Sequence, residues 1–370
     1  MLLSFTMNRK IGYFVAVLTL IAFLSGCGGS NFIFNNPYSF FIVGDANQRR
    51  ELKKLYRQIN EDSTSERRFI VMEQIIKILY TASEREKLNL FLTNYVETYK
   101  DDPFNGYYLL IVAWNYQEAE AYPFAVYYFE RILKNYPDIL VRNKSIYYIC
   151  LSNLIDLVEE PEIRVNYYKD LIARFGSQVD KGPLYYELAK AYEKLGEWEL
   201  SIQAYKQFLQ YPDAKIPGVP NARRDVQQMI ALYDYRDKNW TMESRDELVE
   251  TIKHAIQTRN AALLNRYRAK VNFFAVSWEQ EEFEADPEFL SGLSLFMSNR
   301  ISLAENLDKN SNNREAYLET SGWTYRIQTW YLYFRKINFP PNPEIHGQWE
   351  WAGIYFGDKP FTGSKKMAAN

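Results

Sequence analysis

Residues 185–212 read YYELAKAYEKLGEWELSIQAYKQFLQYP, and this stretch decides the architecture of the middle of the chain. Leu188, Ala189 and Tyr192 fall on one face of a helix, at i, i+1 and i+4. Gly196 breaks that helix and Trp198 follows it. Ser201, Ile202, Tyr205, Phe208 and Leu209 then form the facing stripe of a second helix, which Pro212 stops. Small residues at 189 and 201 let the two helices approach, and bulky ones fill the remaining seam.

Three other segments can be laid on this one. In 109–137, Ala113, Tyr116, Ala125, Phe129 and Leu133 occupy matching positions and the segment ends at Tyr136-Pro137. In 148–176, Leu151, Ser152, Ile155, Tyr168 and Ile172 match, with Gly176 in place of the proline. In 75–103, Tyr95 and Pro103 match, Phe91 replaces the small residue, and the first helix is poor. The large aromatic of the second helix thus recurs at Tyr95, Phe129, Tyr168 and Tyr205, with spacings of 34, 39 and 37. The longer spacings put extra residues into connections near 140–144 and 179–181.

The pattern resembles the tetratricopeptide repeat, whose period is about 34 residues. That resemblance implies helical hairpins stacked into a short solenoid with a concave groove, since a single pair cannot bury its own faces. Helices at 48–60 (QRRELKKLYRQIN) and 222–237 (ARRDVQQMIALYDYRD) would cap it. By the family pattern, outward positions of each first helix line the groove. Here these are Tyr107, Trp114 and Gln117, then Asn153 and Asp156, then Tyr186, Lys190 and Glu193. Amphipathic aromatics beside mixed charges suit a protein partner, although a plain solvated helix face has the same composition.

The amino terminus reads as an address. Arg9 and Lys10 precede an uncharged, mostly apolar run at 11–24 (IGYFVAVLTLIAFL), which has the length of a signal-peptide core and is too short to cross a bilayer. Leu24-Ser25-Gly26-Cys27 ends the run, followed by Gly28-Gly29-Ser30. This resembles the lipobox of bacterial lipoproteins. The resemblance implies cleavage before Cys27, a diacylglycerol on its sulfur and palmitate-type acyl chains that anchor the body to a membrane. Cys150, the other of two cysteines, lies in an apolar helical pattern and reads as a core thiol.

After loop signals at 216–220 and 239–240 the pattern changes. Residues 244–270 predict one or two amphipathic helices, opened by a capping box of Ser244 and Glu247. A further short helix is expected at 287–299, then strands at 301–305, 315–320, 324–336 and 348–357. Helices followed by strands joined through short turns predict a small α+β domain with an antiparallel sheet, in an order similar to the cystatin-like fold. Trp323, Trp330, Trp349 and Trp351 read as sheet core, with sugar stacking as the alternative.

The composition removes several kinds of chemistry. Forty-four Lys and Arg against 46 Asp and Glu leave a formal charge of −2, and thus no bulk attraction to nucleic acid. Two histidines, His254 and His346, give no spacing for a shared metal, and two cysteines exclude a cysteine-rich zinc site. The acidic run Glu279, Glu281, Glu282, Glu284, Asp286, Glu288 lacks the spacing of a calcium loop. No phosphate loop or nucleophile elbow is present, so no cofactor, metal or catalytic residue is expected. The 30 tyrosines follow in part from the aromatic seams of the repeats.

The chain is therefore read as mainly α. The division is a signal peptide (1–26), a tether (27–47), a tetratricopeptide-like helical-hairpin solenoid with capping helices (48–238), an α+β domain (243–361) and a tail (362–370). The functional expectation is a non-enzymatic adaptor, lipid-anchored in a bacterial cell envelope with its body in the periplasm. Its partner would be an envelope protein of an outer-membrane assembly machinery or a transporter. FAVYYFERILKNYP (124–137) is similar in style to the tetratricopeptide lipoproteins of barrel assembly, from which the α+β domain departs. The alternative is a periplasmic module holding a small hydrophobic or sugar ligand for a transporter.

Overall fold

The computed structural model describes residues 38–61, 64–278, 297 and 300–359. Cys27 and the signal peptide, the acidic run from Glu279, nearly all of the helix expected at 287–299, and the tail lie outside the described residues. The chain divides into two compact units, one ending at Leu157 and the other beginning at Val158. Among the described residues there are twelve α-helices and a sheet of five strands.

The first unit contains α1 (Ala46–Glu61), α2 (Ser65–Thr81), α3 (Arg85–Thr98), α4 (Asn105–Glu118), α5 (Tyr122–Asn135) and α6 (Ile146–Leu157). Its helix starts follow local chemistry. Asp45 Oδ1 accepts from the Asn47 and Gln48 amides at 2.8 Å, while Gln48 Oε1 accepts from the Asp45 amide at 2.8 Å, a reciprocal cap. The poor first helix expected near residue 75 is in fact α2, 17 residues long and starting ten positions earlier. Its buried stripe, Val71, Met72, Ile75 and Leu79, has helical spacing, but the charged start SERR masks it in a short window. Phe91 stays buried without crowding because it meets rings rather than a close helix: Phe41 lies 5.5 Å away and Tyr56 5.3 Å.

Between α5 and α6 the extra residues form a ribbon, β1 (Leu140–Val141) against β2 (Lys144–Ser145). Arg142 and Asn143 both have positive φ (50° and 63°), as a two-residue hairpin of matching twist requires. Asp138 then accepts from Ser145 Oγ and from the Tyr147 amide, leading the chain into α6.

The second unit begins with α7 (Pro161–Phe175), α8 (Lys181–Leu195), α9 (Trp198–Phe208) and α10 (Ala222–Asp234). Gly196 ends α8 in the left-handed region at φ +75°. Its amide donates to the Glu193 carbonyl, and the Glu197 amide donates to the Tyr192 carbonyl. This pair of bonds uses two carbonyls that the helix end leaves unpaired. Most of the stripes read from sequence are buried, Leu188 and Ala189 on α8 and Ser201, Ile202, Tyr205 and Phe208 on α9, whereas Tyr192 and Leu209 are half-buried.

α11 (Arg245–Gln257) is capped by Ser244 Oγ, which accepts from the Glu247 amide, and α12 (Ala261–Arg266) follows it. The strands are β3 (Phe274–Ser277), β4 (Ser302–Leu303), β5 (Glu315–Ser321), β6 (Thr329–Lys336) and β7 (Trp349–Phe356), in spatial order β3-β7-β6-β5-β4. The sheet is mixed, which corrects the expectation of a purely antiparallel one: β3 runs parallel to β7. Strands β5, β6 and β7 are consecutive in the chain and pair antiparallel. β3 is separated from β7 by a long stretch of chain, so no hairpin sets its direction.

One sheet face packs Ala316, Leu318, Trp330, Leu332, Phe334, Trp351 and Ile354 on Leu248, Val249, Ile252, Ala255 and Ile256 of α11. The other face carries Phe274, Val276, Tyr317, Tyr331 and Tyr355. Trp323, Trp330, Trp349 and Trp351 are all 5% exposed or less, so they are sheet core.

Candidate interaction surface

Helix α4 carries three of the residues that the repeat resemblance assigns to a groove. Tyr107, Trp114 and Gln117 are half-buried and share one face through their spacing of seven and three. The Tyr107 hydroxyl donates to Glu73 Oε1 of α2 at 2.7 Å. Burial, and then the Glu73 carboxylate, push its pKa up, so it stays a neutral donor. On α6, which packs beside α4, Asp156 is exposed, and Asn153 Nδ2 donates to its own helix at the Ile149 carbonyl, 2.8 Å. In the second unit, Tyr186, Lys190 and Glu193 share a face of α8. Tyr186 packs edge-on against Tyr205 and Phe208, Lys190 Nζ pairs with Glu193 Oε2 at 2.5 Å, and Glu193 Oε1 accepts from Tyr205. These eight residues thus form one set on α4 and α6 and another on α8. Most are engaged with their own unit, leaving Asp156 the most open of the first set.

A different surface of the first unit is richer in unsatisfied apolar area. Helix α5 has the sequence YPFAVYYFERILKN, with five aromatics in 14 residues, and its buried stripe uses only one of them, Phe129. Phe124 is 59% exposed and Tyr127 55%, with Tyr122 and Leu90 close behind. Tyr116 of α4 stacks on Phe124 (centroids 5.2 Å) and on Tyr128 (5.7 Å, planes 6° apart), and Tyr127 meets Tyr128 edge-on. Beside this strip lies a cleft of about 440 Å³ lined by Glu86, Asn89, Leu90 and Thr93 of α3, with Tyr116 and Tyr128.

The base of the cleft is a satisfied polar chain. Arg85 Nη1 donates to Asn115 Oδ1, and Asn115 Nδ2 donates to the buried Asn89 Oδ1 at 2.6 Å. Arg85 also pairs with Glu118 and stacks over Tyr80, which holds the start of α3 against the end of α4. Glu86 is the charged residue of the cleft lining, and beside it Arg85 pairs with Glu118 and Lys87 with Glu84. The family-derived groove did not include these residues. Their signal in the sequence was the surplus of aromatics in α5, more than one helical stripe can bury.

A scan of protein-family models finds no match to this chain. A search of curated proteins finds none either.

Several features bear on chemistry by what surrounds them. Cys150 is fully buried on α6 and its thiol pKa is pushed up by burial, with Asp138 adding to it, as suits a core thiol. His346 Nδ1 accepts from the Phe339 amide at 3.1 Å and so orders a loop. Among the described residues, no group of three or more His, Cys, Asp or Glu could hold a metal ion, and no helix is long and apolar enough to cross a membrane.

Proposed function

We propose that this chain is a lipid-anchored adaptor of a bacterial cell envelope whose helical-hairpin solenoid holds a partner protein. Two features support the solenoid. Tyr95, Phe129, Tyr168 and Tyr205, the recurring aromatics, are each 4% exposed or less, and helix α4 packs on both α5 and α6, as a first helix does in stacked hairpins. The anchor rests on the lipobox resemblance at 24–27 and on the charged and apolar segments that precede it.

The observation that carries the adaptor reading is the exposed strip of Phe124, Tyr127, Tyr122 and Leu90 beside the α3–α5 cleft. Exposed aromatics grouped at a cleft mark association surfaces more often than scattered ones do. The occupant is an apolar segment of the partner that places a side chain against Tyr116 and Tyr128 and a Lys or Arg beside Glu86. Glu86, the charged residue of the cleft lining, selects the basic residue.

Cross-linking and affinity purification of tagged full-length protein from its native envelope tests this. A stoichiometric partner lost with Phe124→Ser plus Tyr127→Ser, and weakened in a salt-dependent way by Glu86→Lys, supports the cleft. Loss with Trp114→Ala, Asp156→Ala and Lys190→Ala instead assigns the contact to the face implied by the repeat family. Retention in both variants, or recovery of this chain alone, overturns the adaptor reading. In the same cells Cys27→Ser abolishes membrane association and acyl labelling if the anchor is as proposed.

A further inference from the structure

In the second unit, the sheet face turned away from α11 carries an aromatic box with a cation in it. Trp278, just past β3, lies flat on Tyr355 of β7, with centroids 4.2 Å apart and planes within 6°. It also meets Tyr331 of β6 edge-on at 5.3 Å and Tyr317 of β5 at 5.7 Å. Lys359 follows the end of β7 and places its Nζ 4.1 Å from the centre of the Tyr317 ring and 5.3 Å from that of Trp278. The same ammonium donates to Asp308 Oδ1 at 3.0 Å. Ring faces carry negative charge density, so two rings and a carboxylate together surround the cation.

The box is built independently of the lysine that fills it. The Asp308 amide donates to the Tyr317 carbonyl at 2.8 Å, and the Asn310 amide donates to Asp308 Oδ1 at 2.9 Å, so backbone bonds aim the carboxylate. Trp278 Nε1 donates to the Gly357 carbonyl at 3.1 Å and the Tyr331 hydroxyl to Glu319 Oε2 at 3.3 Å, which fixes two of the rings. Lys359 is held less firmly. The Gly357 amide donates to the Thr329 carbonyl, and beyond it, among the described residues, Asp358 and Lys359 add no backbone hydrogen bond. The Lys359 and Asp308 side chains keep 19% and 16% of their surface open to solvent. A preorganised cation receptor filled by a side chain on a lightly held arm is a site with a tethered occupant.

We propose that this box is a binding site for a primary alkylammonium group, covered by Lys359 and open to an external ligand when that side chain swings out. The lysine itself reports the chemistry that the site selects. A hydrogen bond to Asp308 requires an N–H on the cation, and the rings of Tyr317 and Trp278 favour a cation over a neutral group. An anion would meet the carboxylate and the ring faces, and an alcohol would leave the carboxylate without a counter-charge. The side chain of a peptide lysine and a free alkyl amine share the selected chemistry. Lys359 competes at the high effective concentration of a group on the same chain, so the external ligand binds far more tightly once it is removed. The inference is independent of both the anchor and the partner surface.

The test is titration of purified full-length Lys359→Ala and wild-type protein with butylammonium, Nα-acetyl-lysine amide and butanol at low salt, followed by ligand-observed NMR or calorimetry. At least one ammonium compound should bind Lys359→Ala tenfold or more tightly than wild type, with butanol silent. The tighter of the two identifies free amine or peptide lysine as the source. Adding Asp308→Asn to Lys359→Ala should weaken that binding at least tenfold. Lys359→Gln, which keeps part of the stem without the charge, serves as the opened variant if alanine disturbs the near-ultraviolet circular dichroism of the ring cluster. Silence of both ammonium compounds in the opened variant, equal binding to wild type, equal binding of butanol, or binding unchanged by Asp308→Asn overturns the proposal.

Discussion

Tyr95→Phe isolates one hydroxyl at the centre of the first unit. The Tyr95 hydroxyl donates to Asp102 Oδ2 at 2.7 Å and accepts from Arg68 Nε at 3.0 Å. The Asp102 side chain is 0% exposed, and Arg68 Nη2 lies 3.6 Å from it. Phenylalanine keeps the ring contacts with Tyr99 and Tyr108, so packing is nearly unchanged. The corresponding position of the next helix pair already carries a fully buried phenylalanine, Phe129. Ring size is thus not at stake; the hydrogen bonds are. Asp102 would keep only the Phe104 amide, at 2.9 Å, and the longer contact to Arg68. A hydrogen bond to a charged group contributes about 1.5–3 kcal/mol, and a buried carboxylate short of a donor adds to the cost. The expected loss is about 2–3 kcal/mol. Hydrogen exchange read by mass spectrometry reports it locally, which suits a chain whose two units need not unfold together. Amides of α3 and α4 should exchange about 30- to 150-fold faster, and those of α11 at unchanged rates. A change below about 0.5 kcal/mol would refute the reasoning and show the network to be replaceable by water.

Gly196→Ala should cost about 1–2 kcal/mol in urea unfolding, because φ is +75° while nothing lies within 4 Å of the added carbon; a larger loss would mean a packing role. Asp308 is influenced first by burial, which raises its pKa. The Asn310 amide and the Lys359 ammonium outweigh burial and hold the group below its usual range. A depressed folded pKa gives stability that is present above the unfolded value near 3.8 and lost as pH falls through the folded one. Asp308→Asn should therefore be less stable than wild type at neutral pH and converge with it in acid, as denaturant midpoints against pH will show. Cys150 should resist thiol reagents at pH 8 in the native protein and react fully in denaturant; fast native labelling would contradict its burial.

The sequence by itself determined the elements whose causes are local. The stripes of α8 and α9, the stop at Gly196, the cap at Ser244, the buried aromatics at 95, 129, 168 and 205, and the four core tryptophans all follow from spacings of a few residues. Helical periodicity and capping act within one or two turns, so they are legible without a partner. The start of α2 was missed because charged residues open it. The turn at Arg142-Asn143 was missed because neither residue advertises positive φ as glycine would.

Tertiary structure alone decided whatever depends on groups distant in the chain. β3 pairs parallel to β7 because no short connection constrains its direction. Trp240 reaches Glu350 across 110 residues, and Arg68 reaches Tyr95 across 27; no pattern announces either. The α3–α5 cleft and the ring box around Lys359 likewise arise between elements. A sequence states what each element must bury. Which polar groups meet, and where a gap remains, is settled only when the packed faces fix their distances.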